Sequence, residues 1–152
     1  MEDEFYGSIA LQADEKGRFR VPSKFRTKFG DDSIFSFQNG SPCLSIISHK
    51  SADEISAKLR PHITLRESPE SRVARVLLSQ MCEIKEDVQG RFTLSTDIKE
   101  ELGISKEVVF VGMGGKVEMW DKSRWEAEKK FVKNDPQLQS SEATKAIDSL
   151  SF

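Results

Sequence analysis

The chain has 152 residues, 37% hydrophobic and 32% charged, a balance that fits one globular domain or two very small ones. A chain of this length can bury roughly two-thirds of its unfolded surface, and collagen-like, disulfide-scaffold and wholly disordered classes are excluded. The net charge of −2 argues against a bulk polycation but leaves room for a local basic patch.

The first strand is expected from Phe5 to Gln12, after an acidic Met1-Glu2-Asp3-Glu4 that does not read as a secretory signal. Asp14-Glu15-Lys16-Gly17-Arg18 is a tight turn, and Arg18 to Val21 returns as a second strand. Pro22 opens a short helix whose apolar stripe is Phe25 and Phe29, and Gly30 stops it. Strands over Ile34 to Phe37 and Leu44 to Ile47 follow around Asn39-Gly40. Ser51-Ala52-Asp53-Glu54 reads as a capping box before Ile55 and Leu59. Pro61 to Ser71 is a polar connector. Val73, Val76, Leu77 and Met81 then mark a helix that feeds a strand from Met81 to Lys85.

A turn over Asp87-Val88-Gln89-Gly90-Arg91 and a return strand to Leu94 come next. Ser95 or Thr96 caps a helix striped by Ile98 and Leu102, and Gly103 ends it. Strands over Val108 to Val111 and Val117 to Trp120 flank Gly112-Met113-Gly114-Gly115. A last helix starts at Ser123-Arg124-Trp125-Glu126, with Asp121 as an alternative cap. Asn134-Asp135-Pro136 breaks it, and Gln137 to Phe152 reads as mobile or weakly helical.

This order contains one paragraph written twice. Shifting by 87 − 14 = 73 places Asp14, Gly17, Arg18, Phe19 and Gly30 on Asp87, Gly90, Arg91, Phe92 and Gly103. The apolar positions between them match too, which makes duplication the reading. In each turn the Asp can accept a backbone N–H two residues on, and the Gly can take positive φ. The turn then projects Lys16 and Arg18, or Gln89 and Arg91. A single copy has short strands and is marginal alone, so two copies are expected to complete each other's sheet in one pseudo-two-fold body.

The residues carry no catalytic signature. His49 and His62 lack metal-ligand spacing, G-x-S-x-G is absent, and the Gly112 to Gly115 run lacks G-x-G-x-x-G spacing. Cys43 and Cys82 lie far apart without a CxxC and read as two buried free thiols, although spacing leaves a disulfide open. Phe19, Phe92, Trp120 and Trp125 read as packing residues. No enzyme, cofactor, metal or small-molecule substrate is expected. No apolar run reaches about 18 residues, so no membrane span is expected and the chain is placed in the cytoplasm.

The charge map is uneven. From Glu15 to Lys28, Lys16, Arg18, Arg20, Lys24, Arg26 and Lys28 oppose Glu15, giving 6 − 1 = +5. From Val88 to Glu101, Arg91 and Lys99 oppose Asp97, Glu100 and Glu101, giving 2 − 3 = −1. The first copy can meet phosphates, and Arg on a rigid turn can reach a guanine edge bidentately. Charge alone equally allows a solvated face with Asp14 and Arg18 paired inside the turn.

The doubled D-x-x-G-R, followed first by Phe-Arg-Val-Pro-Ser-Lys-Phe-Arg, resembles the MraZ family. So does Lys106 to Gly112 followed by Val117-Glu118-Met119-Trp120-Asp121-Lys122, and the resemblance runs from about Phe5 to about Phe131. It implies an α+β fold: a duplicated, swapped-hairpin AbrB-like β-barrel module with short flanking helices, pseudo-two-fold within one chain. The expected parts are a first repeat over 5–60, a connector and helix over 61–80, a second repeat over 81–133 and a polar tail over 134–152. The resemblance further implies a homo-oligomeric ring, typically octameric. The ring would be a nucleoid-associated bacterial regulator of the division and cell-wall gene cluster, usually a repressor. It would bind repeated TGGG-type boxes in double-stranded DNA upstream of its own gene.

The family's motif maps DNA contact to Arg18 and Arg91, with Asp14, Gly17, Asp87 and Gly90 holding the turns. Charge adds Lys16, Arg20 and Lys24 as phosphate contacts. The chain departs from the pattern at Ser95, where proline is expected, and at Gln89, where Lys is usual. With its acidic surroundings, the second loop is expected to bind weakly or to act as scaffold. Two rival readings remain: a structural or partner-binding module in which the turns only close hairpins, and an AbrB-like antitoxin.

Overall fold

The computed structural model describes residues 4–38 and 40–150. Eight strands run in chain order: β1 Ser8–Gln12, β2 Phe19–Arg20, β3 Ile34–Phe37, β4 Leu44–Ser48, β5 Met81–Glu83, β6 Arg91–Phe92, β7 Glu107–Gly112 and β8 Val117–Asp121. The helices are α1 Ser23–Phe29, α2 His49–Leu59, α3 Pro69–Ser79, α4 Thr96–Leu102, α5 Lys122–Asn134, α6 Pro136–Gln139 and α7 Glu142–Asp148, with a 3₁₀ turn over Arg60–His62. The fold is α+β and its strand pairs are antiparallel.

The two repeats exchange their lead-in strands. β1 pairs with β7 of the second copy, and β5 pairs with β3 of the first. The six-stranded order β1-β7-β8-β4-β3-β5 therefore reads the same from either end once repeat equivalents are swapped. Its pseudo-two-fold lies between β4 and β8. The remaining ladder, β2 with β6, pairs Phe19 with Phe92, which are equivalents at the offset of 73. This is the swapped-hairpin arrangement.

The repeat also governs packing. Between Gly103 and β7 the second copy has one residue more than the first, so Ile34 corresponds to Val108, and both are fully buried. Beyond that the offset of 73 returns: Leu44 with Val117, Ser45 with Glu118, Ile46 with Met119, all buried. One continuous core contains Phe5, Phe19, Phe25, Ile34, Phe92, Leu102 and Phe110 among others. Gly112 admits the N-terminal arm: a Cβ there would sit 2.3 Å from the Tyr6 backbone nitrogen.

Several expectations are corrected. The lead-in and return strands are shorter than expected, because Gly7 at φ +86° interrupts the first and each return strand pairs over only two residues. Pro22 stands one position before α1 rather than in its first turn. The Asn39 half of the Asn39-Gly40 turn lies outside the described residues. Helix α2 starts before the Ser51 box: Ser48 Oγ accepts the Ser51 N–H at 3.0 Å. In α5 the cap is Asp121, whose Oδ2 accepts the Ser123 N–H at 3.1 Å. Ser48 and Asp121 are themselves repeat equivalents, so the cap position was duplicated with the strands.

The tail forms α6 and α7, each started by a capping side chain, Asp135 and Ser141. Both cysteines are free. Cys43 is buried, and desolvation, with the Glu118 carboxylate adding to it, pushes its thiol up to about 12. Cys82 is exposed, contrary to expectation, because it lies on the three-residue edge strand β5. The α3 stripe is also turned around. Ala74 and Ser71 face inward, while Val73 and Val76 are 60% and 56% exposed.

Arg26 links the repeats. Its Nε and Nη2 donate to the Glu86 carboxylate at 3.1 and 3.0 Å, and its Nη1 and Nη2 donate to the carbonyls of Gly30 and Asp32. Replacing Arg26 with Ala leaves Glu86 half-buried and two carbonyls without their donor. The unfolding free energy is expected to fall by roughly 2 kcal/mol, read from the denaturant midpoint. An unchanged midpoint would show that this pair carries no stability.

Candidate nucleic-acid interface

Each D-x-x-G-R loop is closed by its own aspartate. Asp14 Oδ1 accepts the backbone N–H groups of Lys16 and Arg18 at 3.0 and 2.8 Å, and Oδ2 accepts Arg18 Nε at 2.8 Å. Asp87 does the same for Gln89 N, Arg91 N and Arg91 Nε, each at 2.9 Å. Gly17 and Gly90 sit at φ +75° and +80°, the positive-φ positions that close each turn, where any side chain is strained. The Asp14 N–H donates to the Arg18 carbonyl and the Asp87 N–H to that of Arg91, which clamps each loop base. Two distant sequence stretches thus build one geometry twice.

The grip decides what each arginine can offer. With Nε committed to the aspartate, the Nη groups hold the remaining donors of side chains that are 25% and 29% exposed, and such donors fit a phosphate or a guanine O6/N7 edge. Asp14 and Asp87 both lie below the ordinary 3.8. In each the first cause is the backbone hydrogen bond from the loop's arginine, with its guanidinium adding and burial opposing. The carboxylates therefore stay ionised and hold the forks at neutral pH.

The dyad brings the loops together. Arg18 Nη1 lies 3.9 Å from Asp87 Oδ2, so one carboxylate touches both arginines. In the β2–β6 ladder Arg20 stands opposite Arg91, while Phe19 and Phe92 point into the core, 2% exposed each. Like charges directly opposed across a ladder repel. Arg91 has Asp87 as counter-charge, but Arg20 and Lys16 have no ion pair among the described residues. A depression of about 210 Å³ beside the loops is lined by Leu11, Gln12, Asp14, Arg18, Phe19, Arg20 and Arg91.

The remaining cations of the first copy divide. Arg26 is consumed by Glu86 and lies outside the exposed charge. Lys24 and Lys28 bracket the exposed ring of Tyr6, with Nζ 5.1 and 4.8 Å from its centroid. Tyr6 was not singled out from sequence. The only signal for it is the i, i+4 spacing that puts Lys24 and Lys28 on one helical face. His49 lies 3.5 Å from Asp53 and 5.4 Å from Phe35, and His62 is exposed.

Residues 77–148 match the family model described as "MraZ protein, putative antitoxin-like". A Dehalococcoides mccartyi protein named transcriptional regulator MraZ is 32% identical over 126 residues, covering 83% of this chain and 88% of that one. Proteins of the same name from Acetivibrio thermocellus and Proteus mirabilis are also 32% identical, over 81% and 80% of this chain and 85% and 82% of their own. The chain belongs to the MraZ family. Within that MraZ frame the departures at Gln89 and Ser95 leave the second loop's geometry intact, since Gln89 contributes only its backbone N–H and Ser95 Oγ caps α4 at Ile98.

The aspartates set a pH limit on the loops. Because their folded pKa values are depressed, the stability they contribute is full above 3.8 and is lost as pH falls through the lower folded values. Side-chain NMR titration is expected to place both midpoints below 3.8. A midpoint at or above that value would mean that the loop hydrogen bonds do not hold in solution.

Proposed function

We propose that this chain is a sequence-specific DNA-binding transcriptional regulator acting through the paired loops at its pseudo-dyad. The relatives' names support regulation of transcription. The observation that carries DNA contact is the cation set at the dyad. Arg18 and Arg91 are gripped at Nε, and Arg20 and Lys16 stand beside them without an ion-paired carboxylate among the described residues. A polyanion relieves the Arg20–Arg91 repulsion and meets forks that are already oriented. Arg18 and Arg91 read base edges, while Lys16, Arg20 and Lys24 bind phosphates and fix register. Asp14, Gly17, Asp87 and Gly90 hold the shape.

The finer reading carries over the family resemblance. The repeats over 5–60 and 81–133, joined by 61–80, form a DNA-reading body. Several bodies assemble as a ring, of octameric size, on repeated boxes upstream of the chain's own gene. It represses the division and cell-wall cluster from the nucleoid of the cytoplasm. One loop pair is a weak ligand, and several on a ring spaced to match the boxes gain avidity through effective concentration. A purely structural module leaves Arg20 and Lys16 without a role.

The test is equilibrium binding to the chain's own upstream DNA against a scrambled fragment, at two salt concentrations. Arg18→Ala is expected to lose about 10- to 100-fold in specific affinity, with assembly size unchanged. Lys16→Ala weakens both fragments alike and lowers the salt slope by about one. Unchanged promoter affinity in Arg18→Ala would remove the first loop from the interface. No preference over scrambled DNA in the unaltered protein would remove the regulator reading itself.

A further inference from the structure

Helix α3 presents an apolar surface that the chain itself leaves uncovered. A groove of about 340 Å³ between the α2 end and α3 is lined by Leu59, His62, Pro69, Glu70, Val73 and Ala74. Next to it Ile63, Leu65 and Val76 are also exposed. The segment 60–76 is cationic: Arg60, Arg66, Arg72 and Arg75 against Glu67 and Glu70, 4 − 2 = +2.

The opposite character sits on the tail. Segment 134–150 carries Asp135, Glu142 and Asp148 against Lys145, 1 − 3 = −2. Helix α7 and the turn after it place Ala143, Ala146, Ile147 and Leu150 at offsets of 0, 3, 4 and 7. That is the anchor spacing of a helix lying in a groove. Ile147 and Leu150 are 60% and 56% exposed. Within the single chain α7 packs against α6, and neither anchor reaches a core.

We infer that α7 of one chain and the turn after it dock, through Ile147 and Leu150, into the α2–α3 groove of a second copy, with the acidic segment 134–150 toward the cationic segment 60–76. This rests on the self-association in the proposed function and names its contact. Helix and groove are different patches, so the contact is heterologous and repeats head to tail, as a closed ring requires. The anchor stripe, the exposed groove and the opposite charges select each other. The net positive charge of segment 60–76 disfavours a basic partner helix.

Sedimentation velocity of the full chain, with and without Ile147→Glu and Leu150→Glu, reads the contact. Both residues are exposed, so the variant is expected to keep the parent's far-UV circular dichroism spectrum. Its self-association weakens by on the order of 10-fold or more. Pairing is read by disulfide capture in a Cys82→Ser background. Val73→Cys and Leu150→Cys chains, mixed, should form a linked heterodimer. Assembly unchanged in the double variant overturns the docking and leaves the ring reading standing. Capture only within single chains carrying both cysteines overturns the second copy as occupant. A parent chain that is monomeric at all concentrations overturns the ring reading along with the docking.

Discussion

Neither repeat can finish its own sheet, and the rest of the molecule follows from that. Each lead-in strand leaves its copy to pair with the other, so the six-stranded sheet exists only when both copies are present. Where the copies meet, Phe19 and Phe92 face across a two-residue ladder with ring centroids 6.2 Å apart. A ladder that short has little hydrogen bonding of its own, and burial of the two rings fixes its register. A one-residue slip of either strand would turn its ring outward and bring its arginine, Arg20 or Arg91, into the core. Core packing therefore dictates which residues face outward at the dyad.

The loops translate that constraint into chemistry. A turn anchored only at strand ends would leave Arg18 with several rotatable bonds. Asp14 removes most of that freedom by taking two backbone N–H groups and the guanidinium Nε together. Ordering is thus done at folding rather than at binding, which is how preorganisation raises affinity. An Asp–Arg pair read as mere neutralisation misses this. The carboxylate takes one edge of the guanidinium and leaves the fork.

The loops were legible in sequence because the hydrogen bonds that close each turn lie within five residues. The duplication was legible because Asp, Gly, Arg and Phe recur at one offset. The swapped sheet came from resemblance, since strand patterns do not say which partner a strand takes. Arg26 read as one more surface cation because Glu86 lies 60 residues away. Val73 and Val76 read as core because periodicity reports a stripe but not the direction it faces, and Ala74 turned out to be the inward residue. The α2 cap was misplaced because Ser48 is both the last residue of β4 and the helix cap, with no loop between them.

Duplication within one chain also permits what a homodimer forbids. In a symmetric dimer every basic residue appears on both sides of the axis. Here the equivalents of Lys16, Arg20, Lys24 and Lys28 are Gln89, Thr93, Asp97 and Glu101. The scaffold kept its dyad, down to Ser48 and Asp121 as caps, while the surface gave it up. Half-sites of a symmetric reader repeat as a palindrome. Under the proposed function, a body with one basic copy and one slightly acidic copy favours a polar site, read in one direction. Such bodies joined by unlike surfaces all point the same way around a ring, so under the proposed function the sites they match are direct repeats rather than inverted ones.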